Sequence, residues 1–377
     1  MVVIMMIELL PGEAMQDLTK DQKNNNQIFT GNIYIFHAFD VGDDIHLEKI
    51  EKSGILTIKP VSSSKYFKNY HRPIVVQLPK PETSPACVSC KIHNFGSISF
   101  TYKIPFQDTL ENVRKDMNTL DYKYYDQSLQ DVKSIFGSIK DFISKALFYQ
   151  TRSSYSVIQV DPLPELFTIT SLKEQYSSII ASALRFETKT LSEYQKDEIL
   201  DSAIGYFRGD LIIVDTYATF MYDAEYEEML DFFEFANIQQ LELRYFDRVL
   251  DQQLNLIYEG KAVKIPISAY FPFIGFESDP ISSLSKLKAD ISVITERLEG
   301  SIKLAGEPYY SELYALLIDK LDLKNWNKSI DRKLDIIKDV QGVYQHKMDG
   351  IREDILSILI IILIFLELVL GIMRDVK

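Results

Sequence analysis

The sequence predicts an α+β protein in which a mixed domain of strands and helices precedes a long antiparallel helical hairpin and one C-terminal transmembrane helix. Three observations predict this fold class. Strand-like and helix-like segments mix through the first two-thirds of the 377 residues without regular βαβ alternation. Apolar residues then recur at heptad-like spacing after residue 276. An almost uninterrupted apolar run comes last.

The predicted globular domain covers residues 28–275. It follows a segment, residues 1–27, that is expected to be flexible because much of it is polar. Strands are expected where β-branched and aromatic residues are enriched and alternate with polar ones. These segments are residues 31–45, 73–78, 96–104, 155–160 and 210–222, and the last is typical of a strand or a strand pair.

Helices in the same domain are predicted from apolar residues spaced by three and four positions. They are expected at residues 108–120, 129–146, 171–184 and 232–259. Two of them open with the spacing of a capping box, Asp108 with Glu111 and Ser171 with Glu174.

Residues 276–354 are predicted to form a helical hairpin, a coiled-coil-like stalk, because apolar residues step by three and four in two seams. The seams are Leu284, Leu287, Ile291, Ile294 and Leu298, and then Leu334, Ile337, Gln341, Tyr344, Met348, Ile351 and Ile355. A short helix is expected near residues 311–321. The second seam enters the apolar run without a proline, which predicts one helix of about 45 residues and about 70 Å. The alternative is two core helices within the globular fold.

Residues 355–373 are predicted to cross a membrane. At about 1.5 Å per residue this run is about 28 Å long, which matches a hydrocarbon core of about 30 Å. Ser357 and Glu367 are its only polar side chains, and the alternative is a buried oligomerisation helix. A carboxylate deep in a bilayer is costly. Glu367 is therefore predicted to contact another helix there, the alternative being a protonated or snorkelling side chain without a role.

The composition excludes several functional classes. The net charge of −13 disfavours direct, non-specific binding to nucleic acid. The first residues lack the basic segment of a signal peptide and the arginines of a mitochondrial presequence. The body is therefore expected in the cytoplasm, anchored by a single span in the cell (inner) membrane, with the mitochondrial inner membrane less favoured. Flanking charges do not set the orientation.

No catalytic, cofactor or metal site is predicted. Cys87, Cys90 and His93 have metal-like spacing, but no second pair of ligands completes the four that zinc needs. These residues are interpreted as part of a Pro-rich loop in which the two cysteines are reduced and lie at the surface. The sequence contains no phosphate-binding, nucleophile-elbow or zinc-protease motif.

One polar stripe on the helix at 232–259 is the candidate contact surface for a partner. Its members step by three and four residues: Asn237, Gln240, Arg244, Asp247 and Asp251. The alternative is a solvated or internally paired helix face.

Several segments in a fixed order carry a family resemblance. They are YIFHAFDVGDDIHLEKIE, FGSISFTYKIPF, DLIIVDTYATFMYD, FANIQQLELRYFDRVLD and ELYALLIDKLDLKNWNKSIDRKLDIIKDVQGVY, followed by R-x-D-I-L at the start of the span. Over residues 30–373 the chain resembles the required-for-meiotic-nuclear-division (RMD sporulation) family, a domain of unknown function. The resemblance implies no catalytic residues. It implies relatives tied to sporulation, and a mitochondrial inner-membrane relative that supports translation, from which this chain departs by lacking a basic presequence. The matching segments contain five residues that are singled out as possible functional determinants: Gly42, Gly96, Arg244, Asp247 and Asp251.

The sequence therefore predicts a non-enzymatic, membrane-anchored scaffold or tether that binds a protein partner and self-associates as a homo-oligomer. A ribosome-tethering role is a narrower form, with contact to ribosomal protein favoured over bare RNA. The alternative is a hydrolase or nucleotide- or metal-binding enzyme with an unrecognised acidic site. The carboxylates that could serve it are Asp210, Asp215, Asp247 and Asp251.

Overall fold

A computed structural model describes residues 27–59, 73–78, 84–149, 152–258 and 307–375, together with residues 80, 82, 288–289, 291–293 and 296. The expected flexible segment at 1–27 lies outside this part of the chain, apart from Gln27. The chain divides into two compact units. Unit 1 comprises residues 1–242 and 300–324, and unit 2 comprises residues 243–299 and 325–377.

Unit 1 contains all the described strands, and they alternate irregularly with helices. The strands are β1 (Phe29–Asp40), β2 (Asp44–Ile45), β3 (Ile58–Lys59), β4 (Ile74–Val76), β5 (Cys87–Ile92), β6 (Ser97–Asp108), β7 (Ile143–Ser144), β8 (Arg152–Val160), β9 (Ala203–Ile204), β10 (Leu211–Val214) and β11 (Ala218–Tyr222). Nine form one sheet in the order β3-β4-β5-β6-β1-β8-β11-β10-β9, and β2 pairs with β7.

The described helices vary widely in length. They are α1 (Leu47–Ser53), α2 (Leu110–Ile139), α3 (Ile169–Leu184), α4 (Glu193–Leu200), α5 (Glu227–Tyr258), α6 (Pro308–Lys320) and α7 (Leu323–Asp375). The first part of α5 and all of α6 belong to unit 1, whereas the second part of α5 and nearly all of α7 belong to unit 2.

Strand β1 is the centre of the sheet. It pairs antiparallel with β6 from Phe29 opposite Asp108 to Asp40 opposite Ser97. On its other side it pairs antiparallel with β8, from Gly31 to Phe39. Beyond β8 comes β11, which forms the one parallel pair among the described strands.

One face of the sheet carries the apolar core, because alternate side chains of β1 point to the same side. Ile33, Ile35 and Phe39 of β1 pack in one buried cluster with residues of α2, α3 and α4. The helical members include Val132, Ile135, Ile139, Leu172, Tyr176, Ile180 and Ile199. Removal of this apolar surface from water is the main favourable term in folding.

The opposite face of the sheet is partly polar and is covered by the first part of α5. Tyr155 of β8 stacks on Phe233 of α5 with ring centroids 6.0 Å apart. Helix α6 packs on α5 in turn, since Tyr310 stacks on Phe232 and the Tyr314 hydroxyl donates to Gln239 at 2.6 Å. Unit 1 is therefore layered, with helices on both faces of a mixed sheet.

The mixed α+β class is confirmed, and several local predictions need correction. Residues 210–222 form a strand pair, β10 and β11, while the two helices expected between residues 108 and 146 are the single helix α2. The residue that caps α2 is Thr109, not the predicted Asp108, since the Thr109 hydroxyl accepts the Asn112 N–H. Asp108 accepts the N–H of Thr109 instead. Helix α3 likewise begins after Thr168, not at Ser171.

The C-terminal helix is longer than expected. Helix α7 runs 53 residues without a break, through both Gly342 and Gly350. Leu334, Ile337 and Met348 of the second predicted seam are buried. Of the first seam only Ile291 lies among the described residues, so the hairpin and coiled-coil stalk stay predictions.

Gly42 and Gly96 act through the close approach of their backbones. Gly96 has a φ of +111°, and a Cβ there would lie 1.8 Å from the Gly42 carbonyl oxygen. The Gly96 carbonyl also accepts the Val41 N–H at 2.9 Å, which ties the β5–β6 turn to the end of β1. Any side chain at Gly96 would force these segments apart.

We expect Gly96→Ala to lower the free energy of unfolding of unit 1 by roughly 2–4 kcal/mol, from backbone strain and steric overlap. Gly137→Ala is the matched control, because Gly137 lies in helix α2, where an added Cβ would meet nothing within 4 Å. That control should stabilise by up to about 1 kcal/mol. Circular dichroism during urea unfolding measures both, since the single tryptophan, Trp326, lies in unit 2. Equal stabilities of the two variants would contradict the close-approach argument.

Candidate functional site

A cleft of about 560 Å³ in unit 1 is the candidate functional site. It lies where the turn between β9 and β10, the connection from β11 to α5 and the start of α6 meet. It is lined by Pro162, Tyr206, Phe207, Gly209, Asp210, Asp223, Ala224, Glu225, Met229, Glu307, Pro308, Tyr309 and Tyr310. Aromatic rings and carboxylates dominate this lining.

The turn between β9 and β10 is held by the Asp210 carboxylate. Its Oδ1 accepts the N–H of Phe207 at 2.7 Å, and its Oδ2 accepts the N–H of Tyr206 at 3.2 Å. The side chains of Tyr206 and Phe207 project from this turn and are 57% and 72% exposed. Asp210 therefore orders the turn that presents two aromatic rings to the solvent side of the cleft.

Three tyrosines form the aromatic wall. The ring centroids of Tyr206 and Tyr309 are 5.1 Å apart, and those of Tyr309 and Tyr310 are 5.7 Å apart. Tyr310 is stacked on Phe232 of α5, which anchors the start of α6 against the core. The wall is therefore assembled by two elements that are about 100 residues apart in the chain.

The lining of the cleft is acidic. It has four carboxylates, at Asp210, Asp223, Glu225 and Glu307, and contains no Lys, Arg or His among the described residues. Arg208 lies in the same turn, between Phe207 and Gly209, and is exposed without lining the cleft. Burial raises the pKa of Asp223, and the nearby charges of Asp210 and Glu225 raise it further. Burial, Asp210 and Asp223 likewise raise the pKa of Tyr309. Negative groups crowded in this way favour a positive ligand.

The predicted polar stripe divides between the two units. Asn237 is fully buried in unit 1, where its Nδ2 lies 3.3 Å from the Phe36 carbonyl and 3.4 Å from the Ser153 carbonyl. Gln240 accepts from the Ser153 hydroxyl and donates to the Leu321 carbonyl at 3.0 Å. These two side chains join α5 to its neighbours in unit 1.

The remaining stripe residues belong to unit 2. Asp247 accepts from Lys333 at 2.7 Å and from Ser329 at 2.7 Å, and Asp251 pairs with Lys333 at 2.6 Å. Arg244 is exposed. Contact between the stripe and a partner protein stays a prediction.

The acidic residues considered for an enzyme site serve different local networks. Asp215 is fully buried and forms an ion pair with Arg185, the residue that follows α3. Asp210 lines the cleft, whereas Asp247 and Asp251 pair with Lys333 in unit 2. Within the described residues, no group of three or more His, Cys, Asp or Glu side chains could hold a metal ion.

The two cysteines lie in a strand, which corrects the expected surface loop. Both belong to β5 as free thiols, and Cys90 is fully buried. Burial raises the pKa of Cys87 to about 12 and raises that of Cys90 as well. A raised pKa disfavours the reactive thiolate form, most of all for the fully buried Cys90.

Sequence reasoning missed a partly buried ion cluster between the sheet and α5, in which Glu234 is the buried member. Lys91 of β5 donates to Asp231 at 2.9 Å and to Glu234 at 2.6 Å, both on α5. The Ser99 hydroxyl of β6 donates to the second oxygen of Glu234 at 2.6 Å. Each charge has a close partner, as a buried charge requires.

A second missed cluster lies on the α2 side of the sheet. Arg152 donates to Asp121 through two hydrogen bonds of 2.9 and 2.5 Å, and to His37 Nε2 at 2.7 Å. His37 Nδ1 lies 3.0 Å from the Ser128 hydroxyl. Burial lowers the pKa of His37, and the hydrogen bond of its Nε2 with Asp121, at 3.2 Å, acts in the opposite direction. The cluster joins β1, α2 and β8.

Burial favours the protonated form of two carboxyl groups of unit 1. Asp40 ends β1 and Glu242 lies on α5, and each is 1% exposed. Burial raises the pKa of Asp40 to about 8, and burial and the charge of Asp40 raise the pKa of Glu242. In the described residues, Asp40 Oδ2 and Glu242 Oε1 have no hydrogen-bond partner. Ionisation would bury a charge that, for Asp40, is offset only in part by the Gly42 N–H, which donates to its Oδ1 at 3.0 Å.

We expect the contribution of Asp40 to the free energy of unfolding to fall as pH rises from about 4 to about 8, because folded Asp40 keeps its proton to a higher pH than the unfolded chain does. The slope from this group is at most about 1.4 kcal/mol per pH unit. Asp40→Asn should flatten the fall, since an amide does not ionise. Glu48→Gln, at an exposed carboxylate of α1, is the control. A pH profile unchanged by Asp40→Asn in urea titrations would mean that Asp40 is already ionised in the fold.

The comparisons with known proteins find one family and one uncharacterized relative. The family model described as "Uncharacterized protein MJ0711, N-terminal domain" matches residues 30–228, which span β1 to the start of α5. "Uncharacterized protein MJ0711" of Methanocaldococcus jannaschii is 25% identical over 306 residues, covering 74% of this chain and 89% of the relative. No solved structure matches the chain. These matches do not extend to the RMD family. Because the family model covers more than half of the chain, the protein belongs to the family of the MJ0711 N-terminal domain, an uncharacterized domain family.

Proposed function

We propose that this protein is a membrane-anchored, non-enzymatic scaffold whose body binds a protein partner. One observation carries the proposal: in the last part of α7, large apolar side chains are exposed on every side of the helix. Among the described residues, α7 is the one helix long and apolar enough to cross a membrane. The membrane type and the cytoplasmic position of the body are parts of the proposal taken from the sequence.

The distribution of exposure favours lipid over a protein partner as the cover of this helix. From Ile358 to Leu366 every side chain is at least 37% exposed, from Leu359 at 37% to Phe365 at 67%. Nine consecutive helical residues point in all directions around the axis. A partner helix would cover one side and leave the others in water, whereas a bilayer covers them all.

Glu367 supports self-association within this proposal. It is the one charged residue between Ile355 and Met373, and a carboxylate at this depth needs a polar or charged partner, or a proton. A second copy of the same helix would place a like group beside it, and two such carboxyls can share a proton. We therefore include a homo-oligomer in the proposal.

We expect the full chain to stay in the membrane pellet after alkaline-carbonate extraction, and a chain ending at Gly350 to be soluble. A double variant, Ile361→Lys with Leu363→Lys, should also be extracted, since each lysine costs about 2.5–3.5 kcal/mol near the centre of a span. Val343→Lys is the matched control, because Val343 is 70% exposed on the same helix outside the apolar run. Full solubility of the unmodified chain would show that α7 is an assembly helix.

The narrower form of the proposal is attachment to ribosomes, suggested by the resemblance to the RMD family. The acidic chain favours basic ribosomal proteins over RNA as the contact. We expect the membrane-extracted protein to sediment with ribosomes at low salt and to be released as salt is raised past about 0.15 M, as screened surface charges require. Sedimentation that is absent at low salt would remove the ribosome from the proposal and leave the anchor untouched.

A further inference from the structure

We propose that the aromatic and acidic cleft of unit 1 receives an alkylammonium group, and that in the scaffold this group is a lysine side chain of the partner. The identification of the ligand's source rests on the proposed function. The chemistry of the ligand rests on the cleft alone.

The size and shape of the cleft suit a side chain. Its volume of about 560 Å³ falls within the range of about 300–1,000 Å³ that small-ligand sites occupy. The side of the cleft that Tyr206 and Phe207 border is open to solvent, since both residues are exposed. A butyl chain with a terminal ammonium therefore has access and room.

The aromatic wall supplies the first half of the recognition. Tyr206 and Tyr309 have ring centroids 5.1 Å apart and planes at 43°, so the two rings form a corner. Their faces attract a cation through the negative charge of the ring face, and their carbon atoms cover an alkyl chain. Phe207 extends this wall edge-on to Tyr206, at 4.8 Å.

The carboxylates supply the second half. Asp223, Glu225 and Glu307 line the cleft, and the described lining contains no basic residue, since the exposed Arg208 of the 206–210 turn is not part of it. The buried hydroxyl of Tyr309 has no hydrogen-bond partner among the described residues, so it can accept from an ammonium N–H. An anion would be repelled here, and a neutral apolar ligand would leave these polar groups desolvated and unpaired.

A metal ion does not fit the same groups. The described carboxylates of the cleft do not form a set of three that could ligate one ion. Dispersed carboxylates beside aromatic faces suit a bulky organic cation, whose charge interacts over several ångströms. The geometry therefore selects an alkylammonium over a divalent metal.

The test is calorimetric titration of the full chain in detergent micelles with four probes. They are a short peptide with one lysine, the same peptide with norleucine at that place, the same peptide with aspartate there, and butylammonium. We expect the lysine peptide to bind at least about tenfold more tightly than the norleucine peptide, and the aspartate peptide not to bind. Equal binding of lysine and norleucine peptides would overturn the proposal.

Variants place the binding in the cleft. Tyr206→Ala and Glu225→Gln should each lower the affinity for the lysine peptide by about three- to thirtyfold, the range expected for the loss of one cation–π or charge contact. Tyr194→Ala and Glu48→Gln are the matched controls, at an exposed tyrosine of α4 and an exposed glutamate of α1, and should change nothing. Equal losses in the variants and their controls would place the binding elsewhere and overturn the site.

The probes separate this inference from the proposed function. Butylammonium that binds as tightly as the lysine peptide would support the alkylammonium site and overturn a partner lysine as its ligand. Lysine binding in a chain that carbonate fully extracts would support the site and overturn the anchor. No binding to a chain that stays in the pellet would overturn the site alone.

Discussion

The double pairing of strand β1 is the constraint on which the rest of unit 1 depends. Its residues pair with β6 on one side and with β8 on the other, so its register fixes both neighbours at once. Since side chains alternate along a strand, the same register decides which residues enter the apolar core and which meet α5. The turn that carries Gly96 locks one end of this arrangement against the residue that follows β1.

Local sequence patterns predict the elements of this protein better than they predict its contacts. The spacing of apolar residues identifies α5 and α7, and β-branched alternation identifies β1, β6 and the β10–β11 pair. The same periodicity predicts that Asn237 and Gln240 share a helix face. Periodicity does not show which groups that face contacts. Asn237 contacts the Phe36 carbonyl of the sheet, and Gln240 donates to the Leu321 carbonyl. The prolines before Cys87 likewise led to the prediction of a loop where Cys87 and Cys90 lie in strand β5.

The cleft was beyond sequence reasoning for a physical reason. Its lining comes from Pro162, the 206–210 turn, the 223–229 connection and residues 307–310, and no single segment shows a motif. Only the folding of the sheet and the packing of α6 on α5 bring these segments together. Most of the lining lies in the region matched by the family model, whereas α6 and the apolar end of α7 follow it. The family match therefore covers the sheet and does not reach the apolar end of α7.

The unbroken course of α7 has a mechanical consequence. A helix of 53 residues spans about 80 Å, and its hydrogen-bonded backbone resists bending and twisting along that length. Its charged first half and apolar second half are thus parts of one stiff rod. A tilt or rotation imposed on the apolar half by its surroundings is carried directly to the half that bears Lys333. The helix can therefore work as a lever.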